Sequence, residues 1–155
     1  MKVVLQRVLR ADVVVNGDRE NPREIAGGFM ALVGFCAADT ETVVDYISAK
    51  IIGMRVFEDD NGLMNLSLAD IGGELLVVSQ FTLYADCRKG RRPSFTAAAR
   101  PEQAIPLYEY FLKTLEKSGI PVKSGEFGAD MQITLTNDGP VTIILDSEEI
   151  MPKKL

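Results

Sequence analysis

The chain has 155 residues, of which 46% are hydrophobic and 25% are charged, and its 17 basic and 22 acidic side chains give a net charge of −5. This length and composition fit one packed domain, here residues 1–155, and exclude an intrinsically disordered chain. The negative charge excludes a general attraction to nucleic acid, so any contact with phosphate requires a local basic patch.

The first part of the chain predicts β-strands. Lys2–Leu9 and Asp12–Asn16 are rich in Val and Leu and precede Gly17, which predicts two strands that meet near a turn. The polar segment Asp18–Glu24 predicts a surface loop. The nearly continuous apolar run Phe29–Phe35 then predicts a buried strand.

Two segments carry apolar side chains at the three- or four-residue spacing of a helix. The first helix is expected to begin after Asp39 or Thr40, either of which can cap it. Its apolar stripe, expected to pack on a sheet, consists of Val43, Val44, Ile47, Ile51 and Met54. The second helix is expected to begin at Pro101, a favoured first residue, and to end before Gly119. Its apolar side chains are Ala104, Tyr108, Phe111 and Leu115.

The remaining strands are predicted between and after these helices. Glu74–Leu83 begins as a continuous apolar run and becomes amphipathic, as a central strand does when it leaves the core. Met131–Thr136, the turn Asn137–Pro140 and Val141–Leu145 predict a closing β-hairpin, and the tail Ser147–Leu155 is polar enough to fray. Because the strands and two helices do not alternate regularly, we predict an α+β fold.

The chain contains no histidine and only two cysteines, Cys36 and Cys87. Histidine is the commonest general base and metal ligand and the central residue of Ser-His-Asp and Cys-His sites, so its absence excludes these chemistries. The cysteine spacing argues against a disulfide framework or a thiolate metal site. We therefore expect no metal and no cofactor, and catalysis that uses carboxylates, hydroxyls, backbone amides or the substrate itself.

Signals for membrane insertion are missing from the sequence. The N-terminus has no long apolar region, and no stretch approaches the ~18 uninterrupted apolar residues that a membrane-spanning helix requires. We therefore expect a cytoplasmic protein without a membrane partner.

Ser79, Gln80 and Thr82 place two hydroxyls and an amide at the predicted end of the central strand. A strand end can direct polar groups at a ligand from a rigid scaffold. The same polar residues are also expected where a strand simply emerges into water. The residues alone leave both interpretations open.

The segment Arg88–Pro93 concentrates four positive charges within five residues. Such a loop can bind phosphate, and RNA is one candidate partner. A solvated loop, or one neutralised by Asp86, explains the charges equally well. Aromatic residues only flank the segment, at Tyr84 and Phe95, which favours recognition of shape or of a terminus over the reading of bases.

The turn near the C-terminus is unusual. Asp138-Gly139 ordinarily predicts a tight hairpin, but Pro140 follows at once, fixes its own φ and removes a hydrogen-bond donor. The residues alone favour a plain structural turn.

Six segments, taken in order, resemble motifs of the D-aminoacyl-tRNA deacylases. They are Leu5–Val8, Met64–Ser67, Val78–Leu83, Gly90–Phe95, Phe127–Gln132 and Asn137–Thr142. Each motif is short, but the ordered set covers nearly the whole chain up to about Asp146. The longer polar loop at residues 18–24 and the tail after Asp146 depart from the family and lie away from these motifs.

The resemblance implies an antiparallel or mixed, barrel-like β-sheet with two main helices, in a homodimer. The turn of one subunit, with a cis peptide, would lie near the Ser79–Thr82 segment of the other, giving composite sites for the 3′ end of aminoacyl-tRNA. The implied catalytic residues are Ser79, Gln80, Phe81 and Thr82. The implied substrate-binding residues are Gly139 and Pro140, with Arg7 bracing the turn through its carbonyls and Met131 packing beside it.

The implied activity is hydrolysis of the ester bond of D-aminoacyl-tRNA, and of glycyl-tRNA, with L-amino acids rejected by the backbone of the turn. Backbone amides near Gln80, Phe81 and Thr82 would stabilise the oxyanion. Thr82 as a nucleophile is the competing mechanism, but the sequence supplies no obvious base for it. Two other classes remain open: a non-catalytic module that binds tRNA or another nucleic acid, and a small-molecule esterase that uses Ser79 or Ser94.

Overall fold

The computed structural model describes residues 1–153, which form eight β-strands, three α-helices and one 3₁₀ helix. The strands are β1 (Lys2–Val15), β2 (Arg23–Ile25), β3 (Gly28–Gly34), β4 (Phe57–Glu58), β5 (Met64–Leu66), β6 (Glu74–Ser79), β7 (Val122–Ser124) and β8 (Met131–Asp146). The α-helices are α1 (Glu41–Gly53), α2 (Pro101–Lys117) and α3 (Ser147–Ile150), and the 3₁₀ helix is Phe81–Tyr84. The predicted α+β class with two main helices is confirmed.

Six strands form one mixed sheet in the order β2-β1-β3-β6-β7, with β8 paired to β1. Strand β1 is antiparallel to β8 along one edge and to β3 and then β2 along the other, whereas β3, β6 and β7 run parallel. The Arg23 guanidinium of β2 donates a hydrogen bond to the Ser124 carbonyl of β7 at 2.7 Å. This contact brings distant strands together, so the sheet is barrel-like, as the resemblance implied.

The prediction of two separate N-terminal strands is wrong, because residues 2–15 form one strand. Between Val8 and Arg10 the partner on β8 changes only from Asn137 to Thr136, so β1 carries an extra residue there. Such a bulge lets a strand continue while its side chains exchange faces. The predicted break between the two strands lies near Leu9, which is 59% exposed. In the structure it is a bulge within a continuous ladder.

The predicted closing hairpin is also wrong. Both halves of β8 pair with β1, and the register passes from Gln6↔Thr142 to Val8↔Asn137, two residues along β1 but five along β8. The turn residues therefore leave the ladder and return to the same neighbouring strand. Pro140 suits such a position because it has no N–H to contribute to a ladder.

Three further boundaries differ from the sequence predictions. Arg23 and Glu24, which were assigned to the surface loop, belong to β2. The central strand β6 ends at Ser79, and the chain then turns into the 3₁₀ helix, since the Leu83 amide binds the Gln80 carbonyl at 3.2 Å. In the tail, which was expected to fray, Ser147–Ile150 forms α3, while positions 154 and 155 lie outside the described residues. The buried Ser147 hydroxyl accepts a hydrogen bond from the Met1 amino group at 2.8 Å, which ties α3 to the sheet.

The two faces of the sheet bury separate apolar clusters. The larger cluster packs the outer face against α1 and α2, and its fully buried large side chains include Leu5, Phe29, Ile47, Phe111 and Leu115. The smaller cluster lies inside the curled sheet and consists of Val8, Ala11, Val13, Ile25, Met30, Leu76 and Val78. The apolar stripe of α1 thus packs on the sheet, as expected, and the buried side chains of α2 belong to the same cluster. Across residues 1–153, every helix falls short of the length and apolar character needed to span a membrane.

Gly28 is the first residue of the parallel pairing between β3 and β6. Its φ is +153°, and a Cβ at this position would overlap the Glu74 carbonyl oxygen and lie 2.7 Å from the Glu74 amide nitrogen. Both obstacles are backbone atoms of the paired strand, so they cannot rotate away.

We expect Gly28→Ala to lower the free energy of unfolding by at least about 2 kcal/mol, because it combines overpacking with a conformation unfavourable for alanine. Gly53→Ala is the matched control, since a Cβ there would meet nothing within 4 Å. The control should be neutral or stabilising in urea unfolding. Equal unfolding midpoints for the two variants would contradict the account of Gly28.

Candidate active site

A pocket of about 340 Å³ opens where the end of β6 meets the loop that precedes β8. One wall comes from Val78, Ser79, Gln80 and Phe81, and the other from Phe127, Gly128, Ala129, Asp130, Met131 and Ile133. Its lining is mostly apolar, with a few polar groups at the rim, which is typical of small-ligand sites. Among residues 1–153, Asp130 is the one charged residue that lines it.

The backbone of the Ser79–Thr82 segment presents free donors beside this pocket. The Gln80 amide is used by the sheet, because it donates to the Val33 carbonyl at 2.7 Å. Among residues 1–153, the amides of Phe81 and Thr82 have no hydrogen-bond acceptor. Of the three amides that the sequence suggested, two are therefore available to a ligand.

The side chains of this segment lack an activating base. The Gln80 side-chain amide donates to the Thr82 hydroxyl oxygen. Within the described part of the chain, neither Ser79 nor Thr82 has a hydrogen bond to a carboxylate, an amine or a phenol. A hydroxyl nucleophile needs such a neighbour to be activated at neutral pH. The geometry favours chemistry carried by the backbone.

Arg7 braces the turn that contains Gly139 and Pro140. Its guanidinium is only 4% exposed and donates from Nε to the Asp138 carbonyl at 3.1 Å and from Nη1 to the Val56 carbonyl at 2.7 Å. The Asp138 carboxylate lies 3.4 Å from Nε. The Gly139-Pro140 peptide is cis, and both residues are exposed. Arg7 therefore contacts the turn through one of its backbone carbonyls, that of Asp138.

The structure separates the expected site residues into two groups. Ser79, Gln80, Phe81 and Met131 line the pocket, with Thr82 next in the chain, whereas Gly139 and Pro140 do not line it. Met131 was expected beside the turn, but it pairs with Val15 at the far end of β8 and packs its sulfur near Gly125. Within one chain, the turn and the pocket are therefore distinct features.

Two contributors to the site were not predicted from the sequence. The pocket wall at Phe127–Asp130 lay inside a matched motif but was given no role, and the motif was its only signal. The carbonyl of Val56 binds Arg7 from 49 residues away in sequence, and no side-chain pattern could reveal such a backbone acceptor. Across the described residues, no cluster of three or more potential metal ligands from His, Cys, Asp and Glu occurs.

The predicted basic loop lies next to the pocket. Backbone hydrogen bonds between Asp86 and Ser94 close its base at 2.7 and 2.9 Å. Phe95, which follows the loop, packs its ring edge-to-face on Phe81 with 5.3 Å between centroids. The loop base is thus attached to a residue that lines the pocket.

Comparison with known proteins gives one consistent family. Residues 4–146 match the family described as D-Tyr-tRNA(Tyr) deacylase. The D-aminoacyl-tRNA deacylase of Desulfatibacillum aliphaticivorans is 53% identical over 148 residues, covering 96% of this chain and 100% of the relative. That of Thermus aquaticus is 54% identical over 149 residues, covering 96% of this chain and 97% of the relative.

Solved structures agree with the sequence comparison. The structure of a c-Myc DNA Unwinding Element Binding Protein superposes with a TM-score of 0.86 at 43% identity, covering 94% of this chain and 98% of that one. Sequence similarity and fold therefore agree along almost the entire length. The chain belongs to the D-Tyr-tRNA(Tyr) deacylase family.

Proposed function

We propose that this chain hydrolyses the ester bond of D-aminoacyl-tRNA and releases the D-amino acid and tRNA. The observation that carries the proposal is a pocket lined by Ser79, Gln80 and Phe81, in a chain of this family, where the backbone amides of Phe81 and of the adjoining Thr82 are free to donate. The relatives named D-aminoacyl-tRNA deacylase match it over 96% of its length. The chain is accordingly an aminoacyl-tRNA ester hydrolase.

The chemistry proceeds by attack of water on the ester carbonyl. The water oxygen bonds to the carbonyl carbon, the ester C–O bond breaks, and the departing ribose oxygen takes up the proton. The amides of Phe81 and Thr82 donate to the oxyanion of the tetrahedral intermediate, and each such donor stabilises it by about 2.7–4 kcal/mol. An aminoacyl ester is already activated, so positioning and these donors suffice, with the neighbouring ribose hydroxyl assisting proton transfer.

Chirality is selected by the backbone of the Gly139-Pro140 turn. Its carbonyls crowd the side on which an L-amino acid would project its side chain, so rejection does not depend on side-chain identity. The support for this role is that Arg7 donates a hydrogen bond to the Asp138 carbonyl of the turn while Gly139 and Pro140 remain exposed. Glycine has no side chain to exclude and is cleaved as well.

The turn reaches the catalytic segment of a second subunit. One support is that the turn does not line the pocket of its own chain. The exposed surface of β8 near the turn is the other. Among the described strands, β8 has only β1 as a partner. Ile144, on the same strand, is 70% exposed, the highest exposure of any large apolar side chain in residues 1–153. A homodimer that buries Ile144 explains both features.

Two alternative functions rest on particular observations. A non-catalytic nucleic-acid-binding module is suggested by the basic loop and by the similar structure named as a DNA Unwinding Element Binding Protein. A small-molecule esterase would use Ser79 or Ser94. The nearest polar neighbour of the exposed Ser94 hydroxyl is the Thr96 hydroxyl at 3.5 Å, which is no base.

The function is tested by comparing deacylation of D-tyrosyl-tRNA, L-tyrosyl-tRNA and glycyl-tRNA. We expect the D-ester to be cleaved at least about 100-fold faster than the L-ester, a difference of about 2.7 kcal/mol in the barrier, and glycyl-tRNA to be cleaved at high enzyme concentration. Binding of tRNA without turnover would instead support the binding module. Turnover of simple esters without preference for tRNA would support the esterase.

The mechanism is tested at Thr82 with two substitutions. Thr82→Ala removes the hydroxyl but keeps the amide donor, so hydrolysis of D-tyrosyl-tRNA should stay within about tenfold of the wild-type rate. Thr82→Pro removes the amide donor, so kcat should fall by about 10² to 10³. Thermal unfolding checks that both variants fold. Complete loss of activity in a folded Thr82→Ala protein would establish the hydroxyl as nucleophile.

The dimer is tested at Ile144. We expect Ile144→Asp to dissociate the dimer, because it places a charge in an apolar contact, and to reduce deacylation by more than about tenfold. Ile105→Asp, on α2 and 37% exposed, is the control and should leave mass and activity unchanged. Sedimentation analysis measures the mass. A fully active monomer of either variant would refute the composite site.

A further inference from the structure

The loop between Asp86 and Ser94 concentrates cations on a protein whose net charge is −5. Arg88, Lys89, Arg91 and Arg92 are all exposed. Backbone hydrogen bonds between Asp86 and Ser94 close the loop at its base, so the segment that carries these side chains is held at both ends.

Asp86 neutralises only one of the four cations. Its carboxylate accepts two hydrogen bonds from the Arg88 guanidinium, at 2.9 and 2.7 Å, and a third from the Arg88 amide at 3.0 Å. These bonds hold the pKa of Asp86 below its usual range, so the carboxylate stays charged and committed to Arg88. Within residues 1–153, no carboxylate lies within ion-pair distance of Lys89, Arg91 or Arg92.

The loop also forms a concave surface. A depression of about 260 Å³ is lined by Arg88, Lys89 and Arg92, with Asp86 and Ser94 at its base. Cationic and hydroxyl donors converging on a concavity suit an anion with several oxygen acceptors. Phosphate diesters are such anions.

The position of the loop beside the pocket indicates which phosphate groups it would bind. The loop follows the Phe81–Tyr84 helix directly, and Phe95 at its far end contacts Phe81, which lines the pocket. When the last nucleotide of a nucleic acid enters the pocket, this loop is therefore close enough to contact the nucleotides before it. The phosphates of these nucleotides are the anionic groups of the substrate that lie nearest to the loop.

We propose that Lys89, Arg91 and Arg92 bind the backbone phosphates of the single-stranded nucleotides that precede the aminoacylated end of the tRNA. The inference rests on the proposed function and adds a second, electrostatic contact outside the pocket. Phosphate contacts position a nucleic acid without reading its sequence. The loop therefore increases affinity for charged tRNA of any identity.

The test compares two substrates that differ in phosphate. D-tyrosyl-tRNA carries the phosphates, whereas D-tyrosine esterified to adenosine carries none and still fills the pocket. The variant is Lys89→Gln with Arg91→Gln and Arg92→Gln. The control is Lys113→Gln with Lys117→Gln and Lys123→Gln, which removes the same charge from exposed positions on α2 and β7.

For the tRNA ester, we expect kcat/KM of the loop variant to fall at least about tenfold at low salt. We also expect the slope of log kcat/KM against log salt concentration to become shallower by about two units, because each lost phosphate contact removes about 0.7 from that slope. For the adenosine ester, the change should be less than about twofold. The control variant should match the wild type with both substrates. Equal losses on both substrates, or no loss on tRNA, would overturn the proposal.

Binding of uncharged tRNA separates this proposal from the proposed function. The loop variant should bind it at least about tenfold more weakly than the wild type and the control. A wild-type protein that cleaves neither ester but shows this difference in tRNA affinity would refute the hydrolase and retain the loop. Equal tRNA affinity in all three proteins would refute the loop proposal alone.

Discussion

The antiparallel pairing of β1 with β8, from Lys2↔Asp146 to Val15↔Met131, is the interaction on which the other features depend. It joins the two ends of the chain, and its hydrogen bonds each contribute about 0.5–1.5 kcal/mol net. The ladder is long enough to curl over the sheet and enclose the smaller apolar cluster. It is also interrupted where the Gly139-Pro140 turn leaves it. One strand pair therefore forms the barrel and presents the turn.

The two main helices, α1 and α2, could be predicted from the sequence because their signals are local. The apolar spacing and the terminal residues Pro101 and Gly119 define α2 without reference to the rest of the chain. The strands depend on partners. Leu5 and Ala11 have the same parity in sequence, yet Leu5 belongs to the outer cluster and Ala11 to the inner one. The bulge between Val8 and Arg10 causes the exchange, and a bulge is a property of the pair, not of one strand.

The candidate site was predictable in part for a similar reason. The change from apolar to amphipathic character drew attention to Ser79 and Thr82, and the structure puts that segment at a pocket. The available donors could not be chosen from the sequence, because Gln80 loses its amide to Val33 on another strand. A site built from backbone groups leaves few side-chain signatures. The absence of histidine restricts the candidate chemistry more than any single motif does, because it leaves carboxylates, hydroxyls, backbone amides and the substrate itself.

The buried Arg7 side chain links three segments that are remote in sequence: its own strand, Val56 and Asp138. Its planar guanidinium holds two backbone carbonyls at fixed directions, which a lysine ammonium does not do. The position of the turn is consequently set as much by the chain leading into β4 as by the turn itself. Changes of length are thus tolerated unequally along the molecule. The exposed segment at residues 18–22 can lengthen freely, because it lies outside the sheet. An insertion that displaced Val56 would instead move the Gly139-Pro140 turn, although the turn lies about 80 residues later in the sequence.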